Sequence, residues 1–419
     1  MQQPAPSSPQ SPFGKAPALP RLGLGSPVTV AAVCLCGVFA FLNLYVTQPM
    51  LPMFENLFQA SKSMVGLTVS ASTLGIALSA PFLGALAERL SRKQVIVFAL
   101  LALAAPTLLA ATSPGLHTLI FWRFLQGLVM PAIFATAITY IGEEWTPTSI
   151  ALIMSIYVSG TALGGFLGRL IGGVAAEYLG WHWSFLILGL TTLAGAALIA
   201  RTLPRERRPL PTHPHPGHAA QLRAMLHHFG NPRLLATYTV GFGMLFALVS
   251  TFTYVTFYLA APPFNLSTAA LSYLFAIYLI GLLVTPAGGY LITRIGMRYG
   301  IVLAIALCLL GECLTLVHSL PVIIFGGLGL VCTGVFIAQA TAASFLRIAA
   351  PEGGRVSAAG LYLSCYYLGG TVGGVLPAVA WQIGKWPACV ALTSTVLFAI
   401  VFVGWSGFRA PHPPHTILD

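Results

Sequence analysis

Residues 81–93 read PFLGALAERLSRK, and residues 286–298, at a shift of 205 positions, read PAGGYLITRIGMR. Proline, glycine, leucine and basic residues recur at the same places in the two stretches. The same shift matches a second pair of stretches, in which Tyr157, Ser159, Leu163, Gly164, Gly165, Gly168 and Trp181 correspond to Tyr362, Ser364, Leu368, Gly369, Gly370, Gly373 and Trp386. One shift that holds over about 100 residues predicts a chain made of two related halves.

The composition of both halves is that of a membrane protein. Of 419 residues, 57% are hydrophobic and 7% are charged, whereas a soluble domain has roughly 25% charged residues. Apolar runs of about 20 residues recur along the chain, and each is long enough to cross a hydrocarbon core about 30 Å thick. Because backbone groups in lipid need internal partners, each run is expected to be a helix.

We therefore predict an all-α polytopic membrane protein with twelve transmembrane helices in two six-helix parallel repeats. The repeats are parallel because six is an even number of spans. The predicted spans, numbered 1 to 12 in chain order, cover residues 28–53, 64–86, 94–112, 117–140, 148–176, 182–201, 234–259, 269–293, 298–318, 321–343, 355–380 and 386–408.

Basic residues predict the orientation of the chain. With a cytoplasmic N-terminus, sixteen of the 20 Lys and Arg residues lie on the inner side, two lie outside and two lie within spans. By the positive-inside rule, we expect a multi-pass protein of the bacterial inner membrane with both termini in the cytoplasm. The predicted parts are a disordered N-terminal tail (1–27), a first half (28–201), a cytoplasmic linker (202–233), a second half (234–408) and a cytoplasmic C-terminal tail (409–419).

Several other classes of protein are disfavoured. The net charge of +11 comes from scattered loops, so we expect no nucleic-acid partner, and no nucleophile–base arrangement or nucleotide-binding loop suggests an enzyme. The seven cysteines lie in or beside apolar runs without metal-ligand spacing and are predicted to be buried and unpaired. Histidines in the linker are compatible with a metal site, but a flexible linker is the stronger interpretation; they are His213, His215, His218, His227 and His228.

Four short motifs carry a resemblance to a known family. The loop after span 2 reads GALAERLSRK at residues 84–93, span 4 contains RFLQG at residues 123–127, and span 1 ends on LYVTQPMLP at residues 44–52. Span 5 contains a glycine series at positions 160, 164, 165 and 168. These residues resemble signatures of the major facilitator superfamily, of its twelve-span drug:proton antiporter branch and of the YnfM-like group. Glu88 and Ser91 depart from the loop signature, and Gly165 and Arg169 depart from the glycine motif.

Parallel repeats and the resemblance together imply alternating access to a substrate site between the halves, near the membrane midplane. The resemblance implies a gating role for the loop motif and its counterpart, namely Gly84, Glu88, Arg89, Arg92, Lys93, Gly289, Arg294 and Arg298. Glycine faces of spans 5 and 11 are expected at the interface between the halves, at Gly160, Gly164, Gly165, Gly168, Gly369, Gly370 and Gly373. Spans 1, 4, 7 and 10 are expected to line the cavity, and the substrate and coupling candidates are Asn43, Gln48, Arg123, Gln126, Tyr254, Gln339 and, in span 9, Glu312.

Three ionisable residues within or near the spans carry most of the functional interest. Arg123 ranks first, because a charge inside a bilayer is costly. It can tune a coupling site, bind an anionic substrate or extend to the outer face, and these interpretations stay open. Arg169 either belongs to the site or reaches the outer interface. Glu312 is the only acid clearly inside a predicted span, and it is a proton-carrying candidate beside Glu55.

We expect a secondary active transporter that exports small amphipathic organic compounds, driven by a proton gradient. Aromatic side chains with few polar neighbours on the cavity spans suit such compounds better than a sugar. No cofactor or metal is expected, and the protein is predicted to act as a monomer in the lipid bilayer on a small-molecule substrate. Two alternatives remain. One is an importer or facilitator of an organic anion whose charge Arg123 and Arg169 bind, and the other is a non-transporting membrane sensor with the same fold.

Overall fold

The computed structural model describes residues 26–82, 91–205, 225, 227–351 and 354–408, without the side chains of Pro286 and Val356. The first half consists of Pro27–Leu42, the 3₁₀ turn Gln48–Met50 and Leu51–Phe58 (span 1), Lys62–Ser79 (span 2), Arg92–Ala110 (span 3), Leu116–Glu144 (span 4), Pro147–Leu179 (span 5) and Trp181–Thr202 (span 6). The second half begins with Pro232–Ala260 (span 7), then Thr268–Leu274, the 3₁₀ segment Phe275–Ile280 and Gly281–Ile295 (span 8), and Met297–Leu314 (span 9). It ends with the π-helical Val322–Leu328 and Gly329–Ala349 (span 10), Arg355–Val375 (span 11) and Pro377–Gly407, whose part after the non-helical Gly384 and Lys385 is span 12.

The described part of the chain contains helices and no strand. Ten of its helices are long and apolar enough to cross a membrane, and spans 1 and 11 complete the twelve predicted segments. Capping residues fix where spans begin. Ser61 accepts a hydrogen bond from the backbone N–H of Met64, and Ser91 and Gln94 form a reciprocal capping box at the start of span 3. The all-α polytopic fold is confirmed.

Both halves use the same helix pairings, as expected of a duplication. Span 1 packs on span 5 as span 7 packs on span 11, and spans 3 and 6 pair as spans 9 and 12 do. The turns before spans 6 and 12 are also equivalent. Gly180 and Lys385, one repeat shift apart, both have positive φ, and each precedes a buried tryptophan, Trp181 or Trp386.

Six of the seven predicted interface glycines in spans 5 and 11 pack inside their own halves, so the expectation that they lie at the interface between the halves is wrong for these six; Gly165 adjoins the Arg169 side chain instead. Gly160, Gly164 and Gly168 lie against the backbone of span 1 at Cys34, Val38 and Leu42. In the second half, Gly369, Gly370 and Gly373 lie against span 7 at Phe242, Leu245 and Phe246. A glycine series identifies a helix face that allows close packing, but it does not identify the helix that fills it.

The two halves meet mainly along spans 2 and 11 and along spans 5 and 8. Between spans 2 and 11, Gly66 lies against the carbonyl of Gly374, and Ser70 Oγ donates to the carbonyl of Thr371 at 2.7 Å. Between spans 5 and 8, Gly173 lies against the side chain of Ser272. The symmetric pairing places the interface between the halves where duplication predicts it.

Some predictions fall on residues outside the described ranges. They concern the N-terminal tail, most of the linker, the C-terminal tail and, within the loop motif, Gly84, Glu88 and Arg89. All seven cysteines are described and unpaired; four are buried, Cys34 and Cys365 are half-buried, and Cys313 is exposed. The prediction of buried cysteines is therefore wrong for Cys313, which lies near the end of span 9.

Candidate functional site

Span 1 is interrupted near its middle. Its first helix ends at Leu42, and residues 43–47 form turns before the short 3₁₀ segment Gln48–Met50. Pro49 and Pro52 follow. Proline lacks an N–H and crowds the carbonyl four residues earlier, which disfavours a continuous helix here. Carbonyl groups released by the interruption need other donors, because the lipid core holds no water.

Arg123 of span 4 provides several of these donors. Its side chain is fully buried. Nη1 donates to the carbonyl of Asn43 at 2.6 Å, Nη2 donates to that of Leu44, and Nε donates to the Thr68 carbonyl of span 2 at 2.9 Å. Nη1 also donates to Oε1 of Gln126. Four of the five guanidinium N–H groups are thus used within the first half, and the side chain does not extend to the outer face.

Two further candidates belong to the same hydrogen-bond network. Gln126 Nε2 donates to Thr107 Oγ1 of span 3 at 2.8 Å. Asn43 Nδ2 donates to Thr192 Oγ1 of span 6 at 3.0 Å. The network joins spans 1, 2, 3, 4 and 6 around the interruption. It therefore holds the two parts of the interrupted helix in place.

Gln48 connects the two halves. Its Nε2 donates to Thr253 Oγ1 of span 7 at 3.2 Å, and the two residues are 205 positions apart. That separation equals the repeat shift, so the pseudo-two-fold axis passes between these equivalent residues. Gln48 therefore lies where a central site of a parallel-repeat transporter is expected.

Arg169 of span 5 adjoins Gln48 and is almost fully buried, with 2% of its surface exposed. Its Nε donates to Oε1 of Gln48 at 2.8 Å, and its Nη1 donates to the Gly165 carbonyl at 2.7 Å. The Nη2 group has no hydrogen-bond partner among the described residues. Arg169 thus lies at the contact between the halves rather than at the outer interface.

Three aromatic rings surround the guanidinium of Arg169. Its central carbon lies 4.7 Å from the ring centre of Tyr45, 4.8 Å from that of Phe275 and 4.5 Å from that of Tyr278. Tyr45 belongs to the interruption of span 1, and the other two rings belong to the 3₁₀ segment of span 8. The site thus combines irregular backbone from both halves, a feature that often accompanies function in membrane helices.

Span 11 adds more tyrosines to this region. The rings of Tyr366 and Tyr367 pack edge to face with centres 5.5 Å apart, and Tyr362 lies 6.0 Å from Tyr366. Tyr367 stacks on Phe134 of span 4 at 6.3 Å, which is a contact between the halves. Aromatic side chains of spans 4 and 11 thus meet across the two halves, in addition to those of spans 1 and 8 around Arg169.

Glu312 is the only fully buried acid among the described residues. Thr251 Oγ1 of span 7 donates to its Oε1, and its Oε2 has no partner in the described part of the chain. Thr253, two residues further along span 7, faces Gln48 of the other half. Residues two apart in a helix point about 200° away from each other, so span 7 lies between the acid and the first half.

The other two substrate candidates are placed differently. The Tyr254 hydroxyl donates to the Gly374 carbonyl of span 11 at 3.1 Å, next to Gly66 of span 2, so Tyr254 lies at the interface between the halves. Gln339 is half-buried in span 10 and makes no hydrogen bond within the described ranges. The structure does not bring Gln339 together with the other candidates.

The described members of the gating set contact their own halves. Arg92 pairs with Glu143 at the end of span 4, with Nη2 and Oε1 3.0 Å apart. Arg298 donates to the Trp405 carbonyl at 2.7 Å, and Arg294 lies over the Tyr290 ring at 5.1 Å. Lys93 is half-buried, and a side chain at Gly289 would meet nothing within 4 Å. A latch between the halves through this motif stays a prediction.

A separate cluster joins the halves at the face where spans 1 and 2 connect. Lys62 forms an ion pair with Glu55, and its Nζ lies 4.6 Å from the ring centre of Phe257 and 5.3 Å from that of Trp381. These residues border a cavity of about 520 Å³. Phe257 and Trp381 belong to the second half, so the lysine holds this face of the molecule together.

The sequence left open whether Arg169 belongs to the site, and it did not indicate the tyrosines that surround it. One available signal was the presence of an arginine in a glycine-rich motif, where a small residue is usual. A second was the spacing of Tyr362, Tyr366 and Tyr367, which recur at helical intervals along span 11. Neither signal identifies the partner helices, because the 3₁₀ segment of span 8 is not evident from its sequence.

Comparisons with known proteins agree with this architecture. The family model of the Major Facilitator Superfamily matches residues 33–374. The inner membrane transport protein YnfM of Escherichia coli is 31% identical over 377 residues, which cover 90% of this chain and 89% of that protein. The MFS-type transporter YybF of Bacillus subtilis is 29% identical over 374 residues, which cover 89% of this chain and 91% of that protein.

Solved structures extend the comparison to the fold. The crystal structure of the nucleoside transporter NupG superposes with a TM-score of 0.77 at 12% identity, and covers 91% of this chain and 100% of that one. A bacterial homologue of the lysosomal transporter Spinster gives a TM-score of 0.73 at 16% identity, with 93% and 100% coverage. With its two six-helix repeats and these relatives, the chain belongs to the major facilitator superfamily of membrane transporters.

Proposed function

We propose that the protein is a proton-coupled exporter of small amphipathic organic compounds. It works by alternating access in the bacterial inner membrane, with both termini in the cytoplasm. Rocking of the two halves about the contact between Gln48 and Thr253 alternately opens the central site to each side of the membrane. Aromatic rings from four spans favour compounds with a flat apolar part.

The burial of Glu312 is the observation that supports the proposed proton coupling. A carboxyl buried without a cationic partner is far cheaper to hold uncharged than charged. Loss of its proton therefore requires a rearrangement around Thr251 that brings in water or a cation. Because Thr253 on the opposite face of span 7 bonds to Gln48, such a rearrangement moves the helix that connects the acid to the other half.

Inside-out membrane vesicles with an acidified lumen test this proposal. The panel of fluorescent amphipathic compounds contains anionic, neutral and cationic members, and a second dye reports lumenal pH. We expect the wild type to accumulate at least one compound while the lumen becomes less acidic. Glu312→Gln is expected to lose this proton movement while it still exchanges compound across the membrane.

Glu177→Gln is the matched control, because Glu177 lies at the end of span 5 and, among the described residues, accepts only a backbone hydrogen bond from Thr268. It should behave as the wild type does. Accumulation without any change of lumenal pH, or unaltered coupling in Glu312→Gln, contradicts the proposal. Net movement of an anion out of the vesicles, driven by the same gradient, would instead identify an importer.

A further inference from the structure

We infer that Arg169 binds the anionic group of an aromatic organic anion at the contact between the two halves. The inference rests on the proposed transport function and names the substrate class. Its first support is an uncompensated charge. Arg169 is 2% exposed, and no carboxylate within the described ranges lies within ion-pair distance of it. A charge buried without a counter-charge is strongly destabilising, so an anionic ligand at this position has a large electrostatic gain.

Among the described residues, most N–H groups of Arg169 have no hydrogen-bond acceptor. Arg123, the other buried arginine in a span, uses four of its five N–H groups on the first half. Arg169 uses two, one toward Gln48 and one toward Gly165. The remaining N–H groups, including both of Nη2, form the planar fork that suits a carboxylate or sulfonate. Arg123 therefore fits a structural role and Arg169 fits a binding role.

The rings around Arg169 define the rest of the ligand. Tyr45, Phe275 and Tyr278 lie 4.5–4.8 Å from the guanidinium carbon, and cation–π contacts stabilise the cation without neutralising it. These rings supply flat apolar surface, and the two tyrosines among them supply hydroxyl groups. An aromatic body that carries one acidic group matches both parts of the site.

Comparison of the two halves separates this role from helix packing. The residue equivalent to Arg169 is Gly374, which lies against Ser70 Oγ and Gly66 at the contact of spans 2 and 11. That interface packs closely with small residues, so the fold does not require an arginine there. On the other side, spans 5 and 8 hold a guanidinium among aromatic rings. The asymmetry is confined to the place where spans 1 and 8 both lose their α-helical geometry.

Binding of three compounds of similar shape tests the inference. The probes are 2-naphthoate, 2-naphthamide and 2-naphthylmethylammonium, measured by calorimetry on the full-length detergent-solubilised protein at constant pH. Because a charge-assisted hydrogen bond changes affinity by about ten- to a hundredfold, we expect 2-naphthoate to bind at least about tenfold more tightly than the other two. In Arg169→Gln the three affinities should become similar. Arg169→Lys should keep a weaker preference for the anion, because the ammonium lacks the planar fork.

Arg201→Gln is the control, since it removes an exposed charge at the end of span 6 and should leave the preference unchanged. Thermal unfolding and gel filtration verify that each variant is folded. If Arg169→Gln is not folded, the reduced preference of Arg169→Lys for the anionic probe tests the inference instead. Three results overturn the inference. The first is equal or tighter binding of the neutral or cationic probe to the wild type. The others are a wild type that binds none of the probes and a preference for the anion that survives in Arg169→Gln. These binding measurements use no proton gradient, so a negative result does not contradict proton-coupled export. Vesicles that show no proton coupling likewise do not contradict anion binding.

Discussion

Arg123 and Arg169 are both arginines buried in spans of the same half, yet their surroundings give them different roles. Arg123 donates to three backbone carbonyls around the interruption of span 1, at Asn43, Leu44 and Thr68. In a membrane these carbonyls have no water as an alternative partner. Arg169 donates to one carbonyl and one side chain, and faces the second half. The partners of each guanidinium, rather than its depth in the membrane, distinguish the structural role of Arg123 from the candidate binding role of Arg169.

Replacement of Arg123 should therefore destabilise the protein more than replacement of Arg169. Arg123→Ala leaves the carbonyls of Asn43 and Leu44 at the interruption without this donor, at a cost of about 1–3 kcal/mol each, and removes the second hydrogen bond to the helical carbonyl of Thr68. We expect a clearly lower unfolding temperature in detergent for Arg123→Ala, a smaller loss for Arg123→Lys and the smallest for Arg169→Lys. An Arg123→Ala protein that unfolds at the wild-type temperature would show that these hydrogen bonds do not hold span 1.

At the scale of elements, spans 1, 8 and 10 depart from α-helical geometry at places where their repeat equivalents do not; the π-helical Val322–Leu328 of span 10 corresponds to regular helix in span 4. Span 7, equivalent to span 1, is helical throughout Pro232–Ala260, and span 2, equivalent to span 8, is helical over Lys62–Ser79. Pro49 explains the first interruption, whereas no proline lies in the 3₁₀ segment Phe275–Ile280. Elsewhere the repeat is preserved, and glycine faces bring span 5 onto span 1 and span 11 onto span 7.

Gly164→Leu should separate span 5 from span 1 within the first half. A side chain at Gly164 overlaps the backbone of Val38, which cannot move aside as a flexible side chain would. We expect normal membrane insertion, a lower unfolding temperature and loss of transport. Gly142→Ala is the control, because a Cβ at Gly142 meets nothing within 4 Å in a helical position. Wild-type stability in Gly164→Leu would contradict this packing of spans 1 and 5.

On the scale of the whole molecule, symmetric halves carry asymmetric chemistry. The first half holds the arginine network, and the second half holds Glu312, whose repeat equivalent is Thr107. At the face that joins spans 1 and 2, Lys62 bridges the halves through Glu55, Phe257 and Trp381. The two halves thus share one helical framework but hold unlike charged groups.

The orientation of this framework is a testable prediction. The sixteen basic residues counted on one side predict that both termini and the linker lie in the cytoplasm. In a background without native cysteines, we expect an impermeant maleimide to label Asn56→Cys in intact cells, because Asn56 is exposed at the opposite face. His215→Cys, in the linker outside the described residues, should be labelled only after lysis. Labelling of His215→Cys in intact cells would reverse the proposed topology.

The sequence by itself determined the twelve spans, the duplication and the family, because apolar runs, one repeat shift and short motifs can be read from the chain without knowledge of which helices are neighbours. It also identified Gln48, Arg123, Gln126 and Glu312 as residues of interest, since polar groups in apolar runs stand out. Only the tertiary structure decided which carbonyls Arg123 satisfies, which helix fills each glycine face and which rings surround Arg169. These features depend on helix neighbours and on interruptions that occur in one repeat only, so a pattern shared by both halves does not reveal them.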